Sequence, residues 1–142
     1  MIFGNSTVEA KEINPEFSGE IARYGIISQY DYGVMEQVIR NRLRMSGPYA
    51  LRDIPEVDGY IAHSDRNRIG EVVWIRPQVG MAEYPVYESF LIVDCCSYQD
   101  GSCGWMKRNN ILAEVDAETI QRWGDYFDIN LYHRAVYGTI ID

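Results

Sequence analysis

Cys95, Cys96 and Cys103 lie within nine residues, and His63 and His133 are the only histidines. An odd number of cysteines does not make a disulfide framework, and no second ligand cluster completes a zinc site. Neighbouring side chains on a strand point to opposite faces, so Cys95 and Cys96 cannot easily serve one site. In an oxidising compartment a Cys96–Cys103 or a Cys95–Cys103 bridge would staple the loop; reduced, all three act as small buried hydrophobes, the simpler reading. A nucleophile pair of Cys95 or Cys96 with His63 has no local signature behind it, and the histidines lack the helical spacing of a metalloprotease. No metal and no cofactor are expected.

The acids carry more. A carboxylic acid in apolar surroundings can protonate a leaving glycosidic oxygen, and hydrolases use two. Asp116 stands directly before a short helical pattern, where Asp is a preferred N-cap accepting from the backbone N–H of Glu118 or Thr119. Capping favours the ionised form and opposes a general-acid role. Asp94 ends an apolar run and could equally satisfy turn amides. His63 reads as a packed or hydrogen-bonded strand residue. Trp74, Trp105 and Trp123 read as core, with Trp105 the best candidate for a sugar platform because it lies in a loop.

The 142 residues suit a single domain, and 46% apolar with 13% aromatic residues is the make-up of a folded globule. A formal charge of −8 argues against nucleic acid or anionic lipid as the main ligand. Arg40, Arg42 and Arg44 read as a solvated helix face. No apolar run reaches the ~18–20 residues a membrane-spanning helix needs. The first twelve residues have neither a basic n-region nor an apolar h-region and are not read as a secretory signal. A cytoplasmic, virion-associated or non-classically exported protein is expected.

These residues are positioned by a mainly β chain. Residues 1–20 are polar, follow neither period and read as an N-terminal arm that could mediate assembly; residues 21–142 form the domain. Tyr24–Tyr30 reads as the first strand. Val34, Met35, Val38, Ile39 and Leu43 then mark an amphipathic helix over about 34–45. Strands are expected over 60–63, over 71–76 with Pro77 as its stop, over 89–94 as the central one, and over 111–115. Residues 99–104 read as a loop, 117–123 as a short helix and 132–140 as closing strands. There is neither regular βαβ alternation nor a phosphate-binding glycine fingerprint. A small closed barrel with helices in its connections fits best.

Five segments in series resemble the double-psi β-barrel of rare lipoprotein A, expansins and related lytic transglycosylases. Gly25-Ile-Ile-Ser-Gln-Tyr30 is similar to the opening strand. Ala62-His63 followed by Ile69-Gly70-Glu-Val-Val-Trp-Ile75 is similar to an Ala-His segment leading into a Leu-Gly-Thr strand. Phe90-Leu-Ile-Val-Asp94 resembles the strand that ends in an aspartate. Ala113-Glu-Val-Asp116 with the helix to Trp123 resembles the final motif, and His133-Arg-Ala-Val-Tyr137 the last strand. The likeness spans about 24–137 and implies a six-stranded barrel with two helices.

The resemblance also implies chemistry. It assigns Asp116 as the catalytic acid that later acts as base, and Asp94 as its partner at the groove. Tyr30, His63 and Trp105 become candidates for binding a cell-wall glycan. Four departures stand out. The aspartates are 22 residues apart where the family has about eleven, and residues 95–110 form an insertion beside the presumed groove. The export signal usual in wall-directed members is not seen, and the long helix at 34–45 replaces a shorter loop. Two functions follow: a peptidoglycan-directed barrel that binds and cleaves wall strands, or a non-enzymatic module such as a phage virion or assembly component with a protein partner. The first requires the strand tips at Asp94 and Asp116 to meet at one rim.

Overall fold

The computed structural model describes residues 22–30, 35–96, 99, 101–127 and 134–142. The arm at 1–20 and His133 lie outside the described residues. Among the described residues seven strands and three α-helices follow in the order β1 (Ala22–Gln29), α1 (Met35–Arg44), β2 (Gly59–His63), β3 (Val72–Val79), β4 (Ala82–Glu83), β5 (Glu88–Cys95), α2 (Ser102–Arg108), β6 (Ile111–Val115), α3 (Ala117–Trp123) and β7 (Ala135–Ile141). No helix among them is long and apolar enough to cross a membrane.

Six strands close on themselves in the order β3-β5-β2-β6-β1-β7, with β7 returning to β3, and β4 hangs from β3 as a short hairpin. The ladders β1–β6 and β2–β5 are parallel; β1–β7, β2–β6, β3–β5 and β3–β7 are antiparallel. Exchanging β1, β2 and β3 for β5, β6 and β7 leaves this pairing unchanged, so the barrel strands form two halves, β1-α1-β2-β3 and β5-α2-β6-α3-β7, related by a pseudo-twofold. A closed mixed barrel of this kind is compatible with a double-psi arrangement. Closure removes the unpaired edges that an open sheet would present.

Binary patterning builds the barrel. In β3 Val73, Ile75 and Pro77 are buried while the residues between them are not, the period-2 signature of a strand with one face in the core. β5 is buried on both faces from Phe90 to Val93, because a helix covers the side away from the barrel interior. Ile27, Ile61, Val73, Ile75, Phe90, Leu91, Ile92, Val93, Ala113, Val115 and Ile140 are sealed from solvent. In α1 the apolar residues Met35, Val38 and Ile39 pack against this core, while Leu43 stays exposed.

Three local expectations are corrected. Pro77 does not end β3, which continues to Val79. The ladder to β5 stops at Ile75, and the carbonyl of Pro77 accepts from Tyr84 N–H at 2.9 Å. Its missing N–H therefore faces the side where β5 has already left, so no rung of the β7 ladder is lost. Second, the 99–104 loop gives way to α2. Its seven residues include Gly104 and are too short to be helical alone, but a Cys96–Cys103 disulfide ties it to β5. Met106 and Cys103 are buried with Ile26, Ile111 and Ala135. Third, β5 and β6 flank β2 on either side, one parallel and one antiparallel to it, so they run in opposite directions. Asp94 and Asp116 therefore do not share a rim as strand tips.

The closing seam depends on a close approach. Gly138 faces Pro77, and a Cβ there would lie 2.7 Å from the Arg76 carbonyl oxygen and 3.2 Å from Pro77 Cα. Backbone cannot move aside as a flexible side chain can. Gly138→Ala is expected to cost about 1–3 kcal/mol, read as a lower urea midpoint with an unchanged slope. An unaltered midpoint would show that the seam is looser than described.

Candidate functional site

β1 and β6 are parallel and end together, and the start of β2 lies beside them because β2 is antiparallel to β6. Tyr30, Asp116 and Tyr60 are thus brought to one rim by strand direction alone. The β2–β6 ladder pairs only Ile61 with Val115 and Ala62 with Glu114. Beyond it the Asp116 N–H donates to the Tyr60 carbonyl at 3.2 Å, and the Tyr60 N–H donates to Asp116 Oδ1 at 3.1 Å. The carboxylate oxygen takes the place of a backbone carbonyl in the next rung.

The same Oδ1 accepts from the Thr119 hydroxyl at 2.7 Å, and that hydroxyl accepts in turn from Arg122 Nη2 at 3.2 Å. Asp116 is the N-cap residue of α3, with extended backbone angles, but its side chain does not bond a helix N–H. The expected cap bond is replaced by one to the Thr119 hydroxyl, because Oδ1 is already drawn across to β2. Both bonds fall on Oδ1, and Oδ2 accepts none among the described residues. Gly59 makes room for this: a Cβ there would stand 2.5 Å from Thr119 Oγ1 and 2.8 Å from Asp116 Oδ1.

Asp116 is only 6% exposed, and it lines a cleft of about 650 Å³. Tyr30 and Tyr60 form aromatic wall; Met35, Glu36, Ile39 and Arg40 come from α1; Ala117 and Glu118 open α3 on the other side. The cleft therefore runs between two helices at one end of the barrel. It offers apolar and aromatic surface beside a carboxylate, a combination that suits small or extended polar ligands.

Asp94 does not line this cleft. Its Oδ2 accepts from the Tyr30 hydroxyl at 2.7 Å and its Oδ1 from Arg42 Nη2 at 2.9 Å. Arg42 also donates through Nη1 to the Tyr49 carbonyl, which pins α1 to β5. Burial first, then the hydrogen bond to Asp94 and its charge, push the Tyr30 phenol well above the usual tyrosine range. Tyr30 is thus the link between the two aspartates: its N–H bonds the Val115 carbonyl beside Asp116, and its hydroxyl reaches Asp94.

His63 and Trp105 lie elsewhere. His63 ends β2 at the far rim, paired with Cys95. It is 4% exposed and its Nδ1 accepts from Asp65 N–H at 3.0 Å. Trp105 projects from α2, 38% exposed, at the end of the barrel where β6 begins. Cys103 is bridged to Cys96 and Cys95 is a free thiol. Burial, then the charge of Asp94, push the Cys95 thiol up, the wrong direction for a nucleophile. Among the described residues no three His, Cys, Asp or Glu side chains gather as a metal site.

Sequence reasoning overlooked Tyr60, Thr119 and Glu88, and its reading of Arg42 as part of a solvated helix face is corrected: the Arg42 side chain is largely buried and bonds Asp94 and the Tyr49 carbonyl. Glu88, 5% exposed, is held by Arg122 through Nε and Nη2 and by Trp123 Nε1 at 2.8 Å, which seats α3 on β5. Its signal was an acid at the head of an apolar strand, a position that demands a partner.

In comparison with known proteins, the chain matches no protein-family model, no curated protein and no solved structure.

His63 belongs to a far-rim cluster around Asp142. Asp142 is paired with Arg23 and with Arg68 at 3.0 Å, and His63 Nε2 approaches it to 3.5 Å. Burial alone would raise the Asp142 carboxyl, but the His63 ring and the two guanidinium groups outweigh it and hold the carboxyl well below 3.8. The guanidinium groups dominate, since His63 lies beyond good hydrogen-bond range. A folded-state value below the unfolded one contributes stability above about pH 4 that fades as pH falls further. Asp142→Asn is therefore expected to flatten the loss of urea midpoint below pH 4. Parallel pH profiles for both proteins would contradict this.

Proposed function

We propose that this protein is a glycan-binding barrel, directed at cell-wall-type strands, whose ligand lies in the cleft beside Asp116. One observation carries the reading: a buried carboxylate fixed through one oxygen, with Oδ2 unbonded, on the wall of a cleft that also presents Tyr30 and Tyr60. Aromatic rings stack on the apolar faces of sugars, and a fixed carboxylate accepts from their hydroxyls.

Any cleavage at this site rests on one acid. Asp94 is engaged by Arg42 and Tyr30, and its strand tip stands at the opposite rim from Asp116. Chemistry that pairs the two aspartates in one groove therefore falls, and the reading proposed is binding first, with any cleavage left to Asp116 alone. A single-acid route has Asp116 give a proton to the leaving glycosidic oxygen as the C1–O bond breaks. It then takes a proton from the sugar's own hydroxyl as that oxygen closes on C1, leaving an anhydro product and the carboxyl as it began. Tyr30 and Tyr60 would hold the sugar on either side.

A second reading, a non-enzymatic interaction module, draws on a different face. Tyr24 and Tyr137 stack in parallel with ring centroids 5.9 Å apart and are 54% and 45% exposed, an arrangement that suits a protein contact as well as a sugar.

The deciding experiment is muropeptide release from purified sacculi with wild type and Asp116→Asn. The asparagine keeps an acceptor for Tyr60 and Thr119, so the fold is expected to stand. Release by wild type with a loss of at least 100-fold in the variant is the expected outcome. Absence of product from wild type, with sacculus binding retained, would leave a binding protein. Absence of both would end the reading.

A further inference from the structure

Resting on that reading, we infer that Thr119 is a positioning residue for Asp116: locked by Arg122, it confines the acidic proton and the free lone pairs of the carboxyl group to Oδ2. Both neighbours of Asp116 Oδ1 are donors. The Tyr60 N–H, at 3.1 Å, has nothing else to offer. The Thr119 hydroxyl, at 2.7 Å, is by nature both donor and acceptor. Arg122 removes the second role: its Nη2, a donor only, points at Thr119 Oγ1 from 3.2 Å. The hydroxyl proton is thereby turned to Oδ1, and Thr119 is sealed from solvent, so water does not compete for it. A proton on Oδ1 would meet the Tyr60 N–H and the Thr119 O–H head-on. It is therefore excluded there and sits on Oδ2, which has no partner among the described residues while Asp116 lines the cleft. The lock reaches further back. Glu88 holds Arg122 through Nε and Nη2, each at 3.0 Å, and is itself held by Trp123 Nε1. Oδ2 is thus the oxygen that gives the proton and takes it back in the single-acid route, and the one that accepts from a sugar hydroxyl when the ligand only binds.

Thr119→Val removes the hydroxyl at nearly unchanged size and Thr119→Ser keeps it; Thr119→Ala gives the same reading where a methyl group does not fit beside Gly59. On purified sacculi Thr119→Val is expected to bind as wild type does and to release muropeptides about tenfold more slowly, with Thr119→Ser restoring most of the rate. Unchanged release by Thr119→Val, or a loss that Thr119→Ser does not restore, would overturn the assignment. A second readout needs no substrate. The infrared difference between each protein and the same protein carrying Asp116→Asn isolates the Asp116 carboxyl band. That band is expected to shift in Thr119→Val and to return in Thr119→Ser, because a donor to Oδ1 is lost and regained. A band that stays in place in Thr119→Val would equally overturn the assignment. If wild type releases no muropeptide while the band shifts as described, cleavage falls and the positioning of Oδ2 stands.

Discussion

The rung in which Tyr60 and Asp116 exchange hydrogen bonds is the interaction on which the candidate site depends. β2 and β6 sit together at the pseudo-twofold, and their backbone ladder is only two residues long. A ladder that short leaves backbone donors beyond its end, and a buried N–H without a partner is costly. Asp116 answers that need with its side chain. A residue serving the fold in this way is also held rigidly, at the rim where two strand ends and two helices converge. Gly59 is the price of that convergence, since its missing side chain is the space that Thr119 and Asp116 occupy.

The two halves of the barrel use their equivalent crossovers differently. α1 joins β1 to β2 and carries one wall of the cleft; α2 joins β5 to β6 at the other end and is secured by the Cys96–Cys103 bridge. α1 and α2 are thus counterparts, placed at opposite rims by the same topology. α2 packs through Cys103 and Met106 on Ile26, Ile111 and Ala135 and leaves the cleft beside Asp116 to α1. Arg42 fixes α1 by bonding both Asp94 and the Tyr49 carbonyl, so Asp94 shapes the cleft from outside it.

Much of the architecture was legible in the sequence. The amphipathic helix near 34–45 and the short helix at 117–123 follow from apolar period and from Asp116 at a helix start, and the closed barrel from a strand order without βαβ alternation together with the resemblance. Boundaries failed where tertiary structure overrode local rules. Pro77 looks like a strand stop until its neighbour on that side is known to have left, and α2 looks like a loop until the disulfide and buried Met106 are counted. Strand direction was the deeper gap. Aspartates at the ends of two apolar runs look equivalent in one dimension, but whether they share a rim depends on which strand lies between them. The partners of Asp94 and Glu88, an arginine 52 residues before one and an arginine 34 residues after the other, leave no local trace.

The account's central claim is that ligand binds at the rim where Tyr30, Tyr60 and Asp116 meet. Backbone amide shifts followed by nuclear magnetic resonance during an N-acetylglucosamine-hexamer titration test it most directly. The account expects the largest shifts at Tyr60, Ala117, Glu118 and Ile39, with Met106 and Ile111 at the far rim unmoved. Shifts concentrated on α2 and the start of β6, with the amides around Asp116 silent, would contradict it.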